Sequence, residues 1–368
     1  MRFAWLRQNS ADTEAVKQTY THPLALVRIA YNIAFWVFLP PFFTAMEYGT
    51  VPGVNKPVSR LVLGTMIVDS REASRSFDLL DAAMERGYST LDTANVYAGG
   101  YSERGIGAWM EARGNRDQVV VLSKGCHHNA DRGRVTPFDL TADLYDSLAR
   151  LRTDYVDIYL LHRDDLSVPV GPIVEVLNEH LQAGRIRAFG GSNWTHERIA
   201  EANAYASNHD LKPFVVSSPN YGLADQIKDP WGPGCATISG PSKAQARAWY
   251  AQQGMPVFAY SSLARGLFTG RITRDNFPQT RELLDNACLI AYCHEPNFQR
   301  LDRATALAAE KGISVPQLVL AYMFASEVNV YPIVGAANAQ ELAQNVDAFD
   351  VALTENERLW LNLQREER

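Results

Sequence analysis

The chain has 368 residues, with 35 lysines and arginines against 41 aspartates and glutamates, which gives a formal net charge of −6. Apolar residues make up 46% of the chain and charged residues 21%. These shares are ordinary for a globular protein, and they exclude a disordered chain, a collagen-like chain and a disulfide scaffold. The acidic excess also argues against nucleic-acid binding, which needs a basic face.

The cysteines show no CxxC pair and no regular spacing. They are Cys126, Cys235, Cys288 and Cys293. In a chain of this length, such spacing predicts free thiols in a reducing compartment, so we expect a cytoplasmic protein. A bridge between Cys288 and Cys293 across a loop is the alternative.

The first 45 residues differ in character from the rest. Residues 24–43 hold 16 apolar residues in 20, close to the roughly 20 that a membrane span needs, but Arg28, Asn32 and two prolines interrupt them. Three interpretations stay open: an amphipathic segment packed on the main domain or partly disordered, a start-site artefact with Met46 as the true first residue, or a membrane or interfacial anchor. We therefore divide the chain into an N-terminal extension, 1–45, and a main domain, 46–368.

From Met46 onward, strands are predicted to alternate with helices. Glu47–Arg60 is predicted to be a small hairpin. The predicted strands are Leu61–Val68, Tyr88–Asn95, Val119–Lys124, Val156–His162, Arg187–Asn193, Phe214–Ser218, Pro256–Ser261 and Val330–Gly335. The predicted helices are Ser74–Arg86, Glu103–Arg113, Pro137–Leu151, Pro172–Ala183, Glu197–Ser207, Ser242–Gln253, Asn297–Lys311, Val315–Ala325, Ala339–Phe349 and Glu355–Arg365.

Eight strand–helix units with continuous apolar strands predict an α/β fold, a closed (β/α)8 TIM barrel with an N-terminal hairpin. No GxGxxG follows the first strand and no GxxxxGK[ST] occurs, so a dinucleotide would not be held in the Rossmann manner. In such barrels the chemistry lies where strands end and the following loops begin.

The ends of three neighbouring strands carry polar side chains. Asp92 ends the second strand, with Tyr97 in the loop that follows, while Lys124 and His162 end the third and fourth strands. Each residue alone has an ordinary structural explanation, such as a helix cap for the aspartate or an outward-reaching stem for the lysine. All four at successive strand ends favour a shared site.

These four residue types together indicate carbonyl chemistry. A phenol has a pKa near about 10, and a Lys124 ammonium at ~4 Å would stabilise the phenolate by about 4 kcal/mol before desolvation. We therefore expect Lys124 to bring Tyr97 into a range useful for acid catalysis. Asp92 would keep Lys124 charged, and His162 would orient a carbonyl oxygen beside the phenol, as hydride delivery to an aldehyde or ketone requires.

The motifs resemble those of the aldo-keto reductase family, in the family's order. The resemblance covers about Glu47 to the C-terminus. It is carried by LDTANVY at 91–97 with SE at 102–103, SK at 123–124, LLH at 160–162, GSN at 191–193, YSSLARGL at 260–267, IVGA at 333–336 and QN at 344–345.

The resemblance implies roles for individual positions. Tyr97 would be the general acid, Lys124 its pKa partner, and Asp92 the partner of Lys124, with His162 orienting the substrate. A cofactor, NADP(H) or NAD(H), would be bound by Ser192, Asn193, Ser218, Tyr260, Ser261, Leu263, Arg265, Gly266, Gly335, Gln344 and Asn345. Within that set, Ser192 and Asn193 would bind the nicotinamide carboxamide, and Tyr260 would stack on the ring. The next four residues, from Ser261 to Gly266, would hold the pyrophosphate, and the last three would lie at the adenosine end.

Two departures from the family pattern affect the cofactor. Many family members place an arginine after strand eight that contacts the 2′-phosphate of NADP, but residues 335–341 hold no cation and include Glu341. An anion there favours a free 2′-hydroxyl, so we expect NAD(H) to be used at least as readily as NADP(H). The glutamine common in strand six is replaced by Ser217 and Ser218, which predicts a lost or water-bridged carboxamide contact.

The substrate pocket is predicted from the loops. Trp194 and Trp231 are candidates for its apolar walls, and the long segments after strands six and seven are expected to close over the cofactor. His127 and His128 follow Cys126 directly. A zinc site there is possible by residue type, but no spaced fourth ligand is evident. We therefore expect a pocket-lining loop and no metal.

The sequence thus predicts an NAD(P)H-dependent enzyme that reduces small aldehydes or ketones, sugars among them. Two alternatives remain: the same site run as an alcohol or aldose dehydrogenase, and a non-catalytic cofactor-binding regulatory subunit, since relatives of this fold serve as channel accessory proteins. The expected partners are a small carbonyl substrate and no nucleic acid. Membrane contact would involve residues 24–43 only, and the oligomeric state is open between monomer and homo-oligomer.

Overall fold

A computed structural model describes residues 44–368 of the chain. The prediction of an N-terminal extension lies outside the described residues, apart from Thr44 and Ala45. Within residues 44–368, no helix is long and apolar enough to cross a membrane.

The hairpin predicted at Glu47–Arg60 is present and closes one end of the barrel. Its strands β1 (Tyr48–Gly49) and β2 (Val58–Ser59) pair antiparallel. Val51 and Val54 in the connecting turn are buried in the same apolar cluster as the side chains that fill the barrel interior. The hairpin therefore seals the end at which the barrel strands begin and leaves the opposite end for a site.

Eight parallel strands form a closed barrel, as predicted. They are β3 (Val62–Gly64), β4 (Thr90–Asp92), β5 (Val120–Gly125), β6 (Val156–Leu161), β7 (Ile186–Ser192), β8 (Val216–Ser218), β9 (Val257–Ala259) and β10 (Val330–Val334). Neighbouring strands pair in chain order, and β10 returns to pair with β3. Each observed strand overlaps its predicted run, although several are shorter because their ends lie in the loops.

The outer layer is helical. The helices are α1 (Ala73–Glu85), α2 (Tyr101–Arg113), α3 (Pro137–Leu151), α4 (Val170–Gln182), α5 (His196–Asn208), α6 (Ala244–Gln253), α7 (Phe277–Thr280), α8 (Asn286–Ala291), α9 (Glu295–Lys311), α10 (Val315–Phe324), α11 (Ala339–Val346) and α12 (Glu355–Leu361). All ten predicted helices are present. The prediction for the last was too long, because that helix ends at Leu361, and the short helices α7 and α8 inside the long segment after β9 were not predicted.

The strand register brings the polar strand ends to one rim. Asp92 pairs with Leu122 on β5, and Lys124 pairs with Leu160 on β6. The chain after each strand therefore leaves at the same end of the barrel, opposite the hairpin.

Close strand packing requires a glycine on β7, because a Cβ at Gly190 would lie 1.9 Å from the carbonyl oxygen of Val216 on β8.

Candidate active site

The structure brings together the four polar residues predicted at the strand ends. The Nζ of Lys124 donates to Oδ1 of Asp92 at 2.6 Å and to the hydroxyl of Tyr97 at 3.2 Å. A third donation, to the backbone oxygen of Thr93 at 2.9 Å, uses the remaining hydrogen of the ammonium. The ring of Tyr97 meets the ring of His162 edge-on, with 5.8 Å between centroids. The ammonium of Lys124 thus connects the carboxylate of Asp92 with the phenol of Tyr97, and the imidazole of His162 lies beside that phenol.

Burial controls the charges of this cluster. Lys124 and Asp92 are each only 3% exposed. Burial lowers the pKa of Lys124, but the adjacent Asp92 and Tyr97 more than offset this, so its pKa is raised and the ammonium stays charged. Burial also raises the pKa of the Asp92 carboxyl against the opposing effect of the ammonium. A close, hydrogen-bonded partner is what makes such a buried charge tolerable.

The expected acidification of Tyr97 was wrong in its net direction. Lys124 does lower the pKa of the phenol, but burial raises it by more, and Asp92 adds to the rise. The net pKa of Tyr97 therefore lies above its ordinary value. The physical consequence is a phenol that stays protonated throughout the neutral range and can act as a proton donor.

His162 is neutral in this environment. Burial and the nearby ammonium of Lys124 hold the pKa of the imidazole well below its ordinary value. Its Nδ1 is buried without a hydrogen-bond partner among residues 44–368. A neutral imidazole at this place can hold a carbonyl oxygen by a hydrogen bond without competing with Tyr97 for the role of acid.

A buried network that the sequence did not predict lies behind the strand that carries Lys124. Glu103 on α2 is fully buried and accepts a hydrogen bond from the hydroxyl of Ser123 at 2.6 Å and another from Arg150 at 3.3 Å. Glu103 lies on α2 and Arg150 on α3. Because side chains alternate along a strand, Ser123 faces these two helices while Lys124 faces the barrel mouth. The SE motif at 102–103 was noted as part of the resemblance, but no role was assigned to it.

The residues expected at the nicotinamide carboxamide lie side by side at the ends of β7, β8 and β9. Ser192 donates through its hydroxyl to the backbone oxygen of Ser218 at 3.0 Å. Asn193 donates to the backbone oxygen of His162 at 3.1 Å and accepts from the hydroxyl of Tyr260 at 2.8 Å. Asn193 has φ of 60°, a left-handed conformation that non-glycine residues adopt mainly at constrained sites.

The two serines of β8 face opposite sides of the strand. Ser217 hydrogen-bonds the hydroxyl of Tyr250 at 2.8 Å in the outer layer. The hydroxyl of Ser218 is buried and has no hydrogen-bond partner among the described residues. Ser218 is therefore the serine of this pair that is free to bind a polar group in the mouth, and it fits the carboxamide role.

The loop after β9 has the backbone geometry of an anion cradle. Ser261, Ala264, Arg265 and Gly266 all have positive φ angles. Among residues 44–368, the backbone N–H groups of Ser262, Leu263 and Arg265 form no hydrogen bond. Free N–H groups that lie close together in such a turn form concavities that bind phosphates. Of the predicted residues, Leu263 and Arg265 therefore offer free N–H groups that fit a pyrophosphate, whereas the N–H of Gly266 donates to the backbone oxygen of Leu263 at 3.1 Å.

The segment after β10 holds the three residues predicted at the adenosine end, and their environments differ. Gly335 and Gln344 are exposed, whereas Asn345 is buried. The carboxylate of Glu341 accepts a hydrogen bond from the backbone N–H of Ala337 at 2.9 Å. No cation occurs between residues 335 and 341. An adenosine role for these three residues stays a prediction, and the negative charge of Glu341 is held at the start of α11.

The two tryptophans proposed for the pocket have different environments. Trp231 is 40% exposed, lies 6.2 Å from the ring of Tyr260 and is covered by the guanidinium of Arg265 at 5.0 Å, which suits a wall of the mouth. Trp194 is 1% exposed and packs on Phe214. Assigning Trp194 to the pocket was therefore wrong, because its indole fills the core between β7 and the outer layer.

The histidines after Cys126 lie at the mouth. The ring of His127 contacts that of His162, with 4.9 Å between centroids, and His128 packs on His127. Cys126 turns away and is buried. Within residues 44–368, no group of side chains could hold a metal ion. All four cysteines are free thiols in the structure.

Comparison with known proteins identifies the class of this barrel. The model of the Aldo/keto reductase family matches residues 60–358, and the chain belongs to that family. It is 29% identical over 319 residues to a probable voltage-gated potassium channel subunit beta of Oryza sativa subsp. japonica, covering 83% of this chain and 92% of that protein. It is 26% identical over 355 residues to an NADP(+) aryl-alcohol dehydrogenase of Phanerodontia chrysosporium, covering 88% and 86%.

A solved relative carries a cofactor. The aldo-keto reductase of Klebsiella pneumoniae, in complex with NADPH, superposes with a TM-score of 0.63 at 26% identity, over 88% of this chain and 96% of that one. The family uses NAD(P)H. The free N–H groups after β9 and the unpartnered hydroxyl of Ser218 fit such a dinucleotide across the barrel mouth.

Proposed function

We propose that the chain is an NAD(P)H-dependent reductase that converts aldehydes or ketones to alcohols, with Tyr97 as the proton donor. The observation that carries the proposal is the pair of hydrogen bonds from the Lys124 ammonium, to Asp92 at 2.6 Å and to the Tyr97 hydroxyl at 3.2 Å. A phenol held this way has a charged group ready to stabilise it after it gives up its proton.

The proposed roles follow from the contacts. NAD(P)H, when bound, supplies the hydride for the carbonyl carbon. Tyr97 donates its hydroxyl proton to the carbonyl oxygen, and the phenolate left behind is stabilised by the Lys124 ammonium. Neutral His162 holds the same carbonyl oxygen by a hydrogen bond. Asp92 keeps Lys124 protonated and fixed. In the reverse direction the same groups would remove the proton of an alcohol.

The cofactor is held by residues outside this catalytic group. Ser192, Asn193 and Ser218 offer polar groups for the carboxamide, and the free backbone N–H groups after β9 suit the pyrophosphate. Residues 335–341 contain no cation that could bind a 2′-phosphate, and they include the negatively charged Glu341. We therefore propose that NAD(H) is used at least as readily as NADP(H).

The test is a panel of neutral carbonyl compounds with each reduced cofactor, followed by loss of nicotinamide absorbance. We expect turnover by the wild-type chain and none by Tyr97→Phe, with cofactor binding unchanged. Binding of the cofactor with no turnover on any carbonyl or alcohol would support the non-catalytic alternative. The intact Asp92, Tyr97, Lys124 and His162 argue against that outcome.

A further inference from the structure

Arg163 occupies a position at the barrel mouth to which no function has been given. It follows His162 directly at the end of β6, and its side chain is only 7% exposed. The indole Nε1 of Trp194 donates to its backbone oxygen at 3.0 Å. The buried tryptophan therefore fixes the chain at the point where the guanidinium leaves it.

In the part of the chain that the structure describes, the guanidinium has no counter-charge. One nitrogen, Nη1, donates to the sulfur of Cys235 at 3.3 Å, and Nε is buried without a partner. No carboxylate among residues 44–368 forms an ion pair with Arg163. The adjacent Asp164 pairs with Arg198 at 3.2 Å, and Asp229 accepts from backbone N–H groups of its own loop. A buried cation with only a thiol as partner is costly.

The groups around Arg163 belong to the catalytic mouth. Burial lowers the pKa of His162 and of His127 and raises that of Tyr260, and in each case the positive charge of Arg163 adds a smaller effect that favours the less protonated form. Cys235 lies in the loop after β8. The next residue of that loop, Ala236, donates its backbone N–H to the side-chain oxygen of Asn193 at 3.2 Å. Arg163 therefore lies between the catalytic imidazole and the side of the mouth where the carboxamide residues converge.

The net charge of this mouth is set by Arg163. Lys124 is neutralised by Asp92 at 2.6 Å. Tyr97 and His162 are neutral, because burial raises the pKa of the first and lowers that of the second. One uncompensated positive charge thus remains beside the reacting groups, in a setting where charge interactions are strong.

The cofactor's phosphates do not explain this charge. The free N–H groups that suit a pyrophosphate follow β9, and three strand pairings separate β9 from β6 in the barrel. The arginine of that loop, Arg265, already pairs with Asp285 through Nε and Oδ2 at 3.0 Å. With no carboxylate of residues 44–368 paired to Arg163 and the phosphate site elsewhere, the second substrate can supply the anion.

We infer that Arg163 binds an anionic group of the substrate, and that the preferred substrates are carbonyl compounds that carry a carboxylate. A guanidinium presents paired N–H donors that match a carboxylate. A site that pairs a buried charge with the substrate discriminates against a neutral analogue, because the charge is then left unpaired. This inference rests on the proposed reductase function and names its substrate class.

The first experiment compares matched substrates on the wild-type chain. The probes are 2-, 3- and 4-carboxybenzaldehyde, each with its methyl ester, with benzaldehyde as the neutral reference. For at least one isomer, we expect kcat/KM to be at least tenfold higher for the acid than for its ester. Acids that are no better than their esters at all three positions would overturn the inference, while turnover of benzaldehyde would leave the reductase function standing.

The second experiment removes the charge. Arg163→Met is expected to abolish the preference for the acid while retaining turnover of benzaldehyde, and Arg163→Lys to restore part of the preference. Arg132→Gln is the control, because it removes an exposed cation that pairs with Asp139 and should leave the preference unchanged. A preference that survives in a folded Arg163→Met chain would overturn the inference.

A binding measurement covers the case in which turnover is absent. Benzoate and benzamide are titrated against the chain saturated with NADPH, with tryptophan fluorescence as the readout. We expect benzoate to bind at least tenfold more tightly than benzamide, and Arg163→Met to remove the difference. Equal binding of the two compounds by the wild-type chain contradicts the inference, whatever the result of the turnover assay.

Discussion

The Nζ of Lys124 lies 2.6 Å from Oδ1 of Asp92, and both side chains are almost completely buried. Such a pair contributes little net stability compared with an apolar pair of similar shape, but removal of one partner leaves an uncompensated charge in the core. The pair is therefore better explained by the proton transfer proposed for Tyr97 than by the stability of the barrel.

Lys124→Met is expected to destabilise the fold by about 3–5 kcal/mol, because Asp92 is then buried without a partner. The loss should be larger at pH 8 than at pH 5. Burial raises the pKa of Asp92, so the folded variant binds a proton more readily than the unfolded chain and gains stability as the pH falls. Urea unfolding at both pH values measures this.

The control and the second variant separate stability from catalysis. Lys311→Met breaks a more exposed pair with Glu357 and should cost less than about 1 kcal/mol. Adding Asp92→Leu to Lys124→Met should recover most of the lost stability but none of the activity. If Lys124→Met costs no more than Lys311→Met, the buried-charge argument is wrong.

Tyr97→Phe tests the proton donor. Loss of the hydroxyl should lower kcat/KM for carbonyl reduction by about 10²–10⁴-fold, the contribution of general acid catalysis. The phenylalanine ring keeps the edge contact with His162, so the cofactor Kd should change by less than about twofold. Stopped turnover together with weakened cofactor binding would point instead to a structural defect. Tyr101→Phe, a change at a neighbouring tyrosine at the start of α2, serves as the matched control.

The dependence of reduction on pH follows from the two shifted groups. The acid form of Tyr97 is required, and its pKa is raised, so kcat/KM should fall only as the pH rises above about 10. Neutral His162 is required, and its pKa is well lowered, so no acidic limb should occur near pH 6.5. The measured profile should be flat from about pH 6 to 8. A midpoint near 6.5 that disappears in His162→Gln would show that the histidine titrates normally.

The sequence could predict the barrel and its rim because these depend on local patterns. Continuous apolar runs mark the strands, and the ends of those runs place Asp92, Lys124 and His162 at one edge. The direction of the pKa shift of Tyr97 could not be predicted in this way, because it depends on how completely the surrounding loops bury the phenol.

Other parts of the site depend on which way a side chain turns. Strand alternation could have distinguished Ser218 from Ser217, since successive side chains face opposite sides. The burial of Trp194 could not be predicted, because it follows the strand in an irregular turn that begins at Asn193. The same applies to Arg163, whose lack of a counter-charge becomes visible only when the side chains of three loops are placed around it.

Ala337→Arg tests the proposal that the segment after β10 favours a free 2′-hydroxyl. Ala337 is exposed, and its backbone N–H donates a hydrogen bond to the carboxylate of Glu341 at 2.9 Å. An arginine there would add charge-assisted hydrogen bonds to a 2′-phosphate, each worth about 1.5–3 kcal/mol. The Kd ratio of NADH to NADPH should therefore rise at least tenfold, measured at one fixed ionic strength because such contacts are screened by salt.

Two further variants distinguish local contact from overall charge. Glu341→Gln removes the negative charge but keeps an oxygen for the Ala337 N–H, and it should raise the same ratio by a smaller factor. Ala309→Arg adds the same charge as Ala337→Arg on the exposed side of α9 and should leave the ratio unchanged. If the wild-type chain already binds NADPH more than tenfold tighter than NADH, Glu341 does not oppose the 2′-phosphate, and another part of the site must bind it.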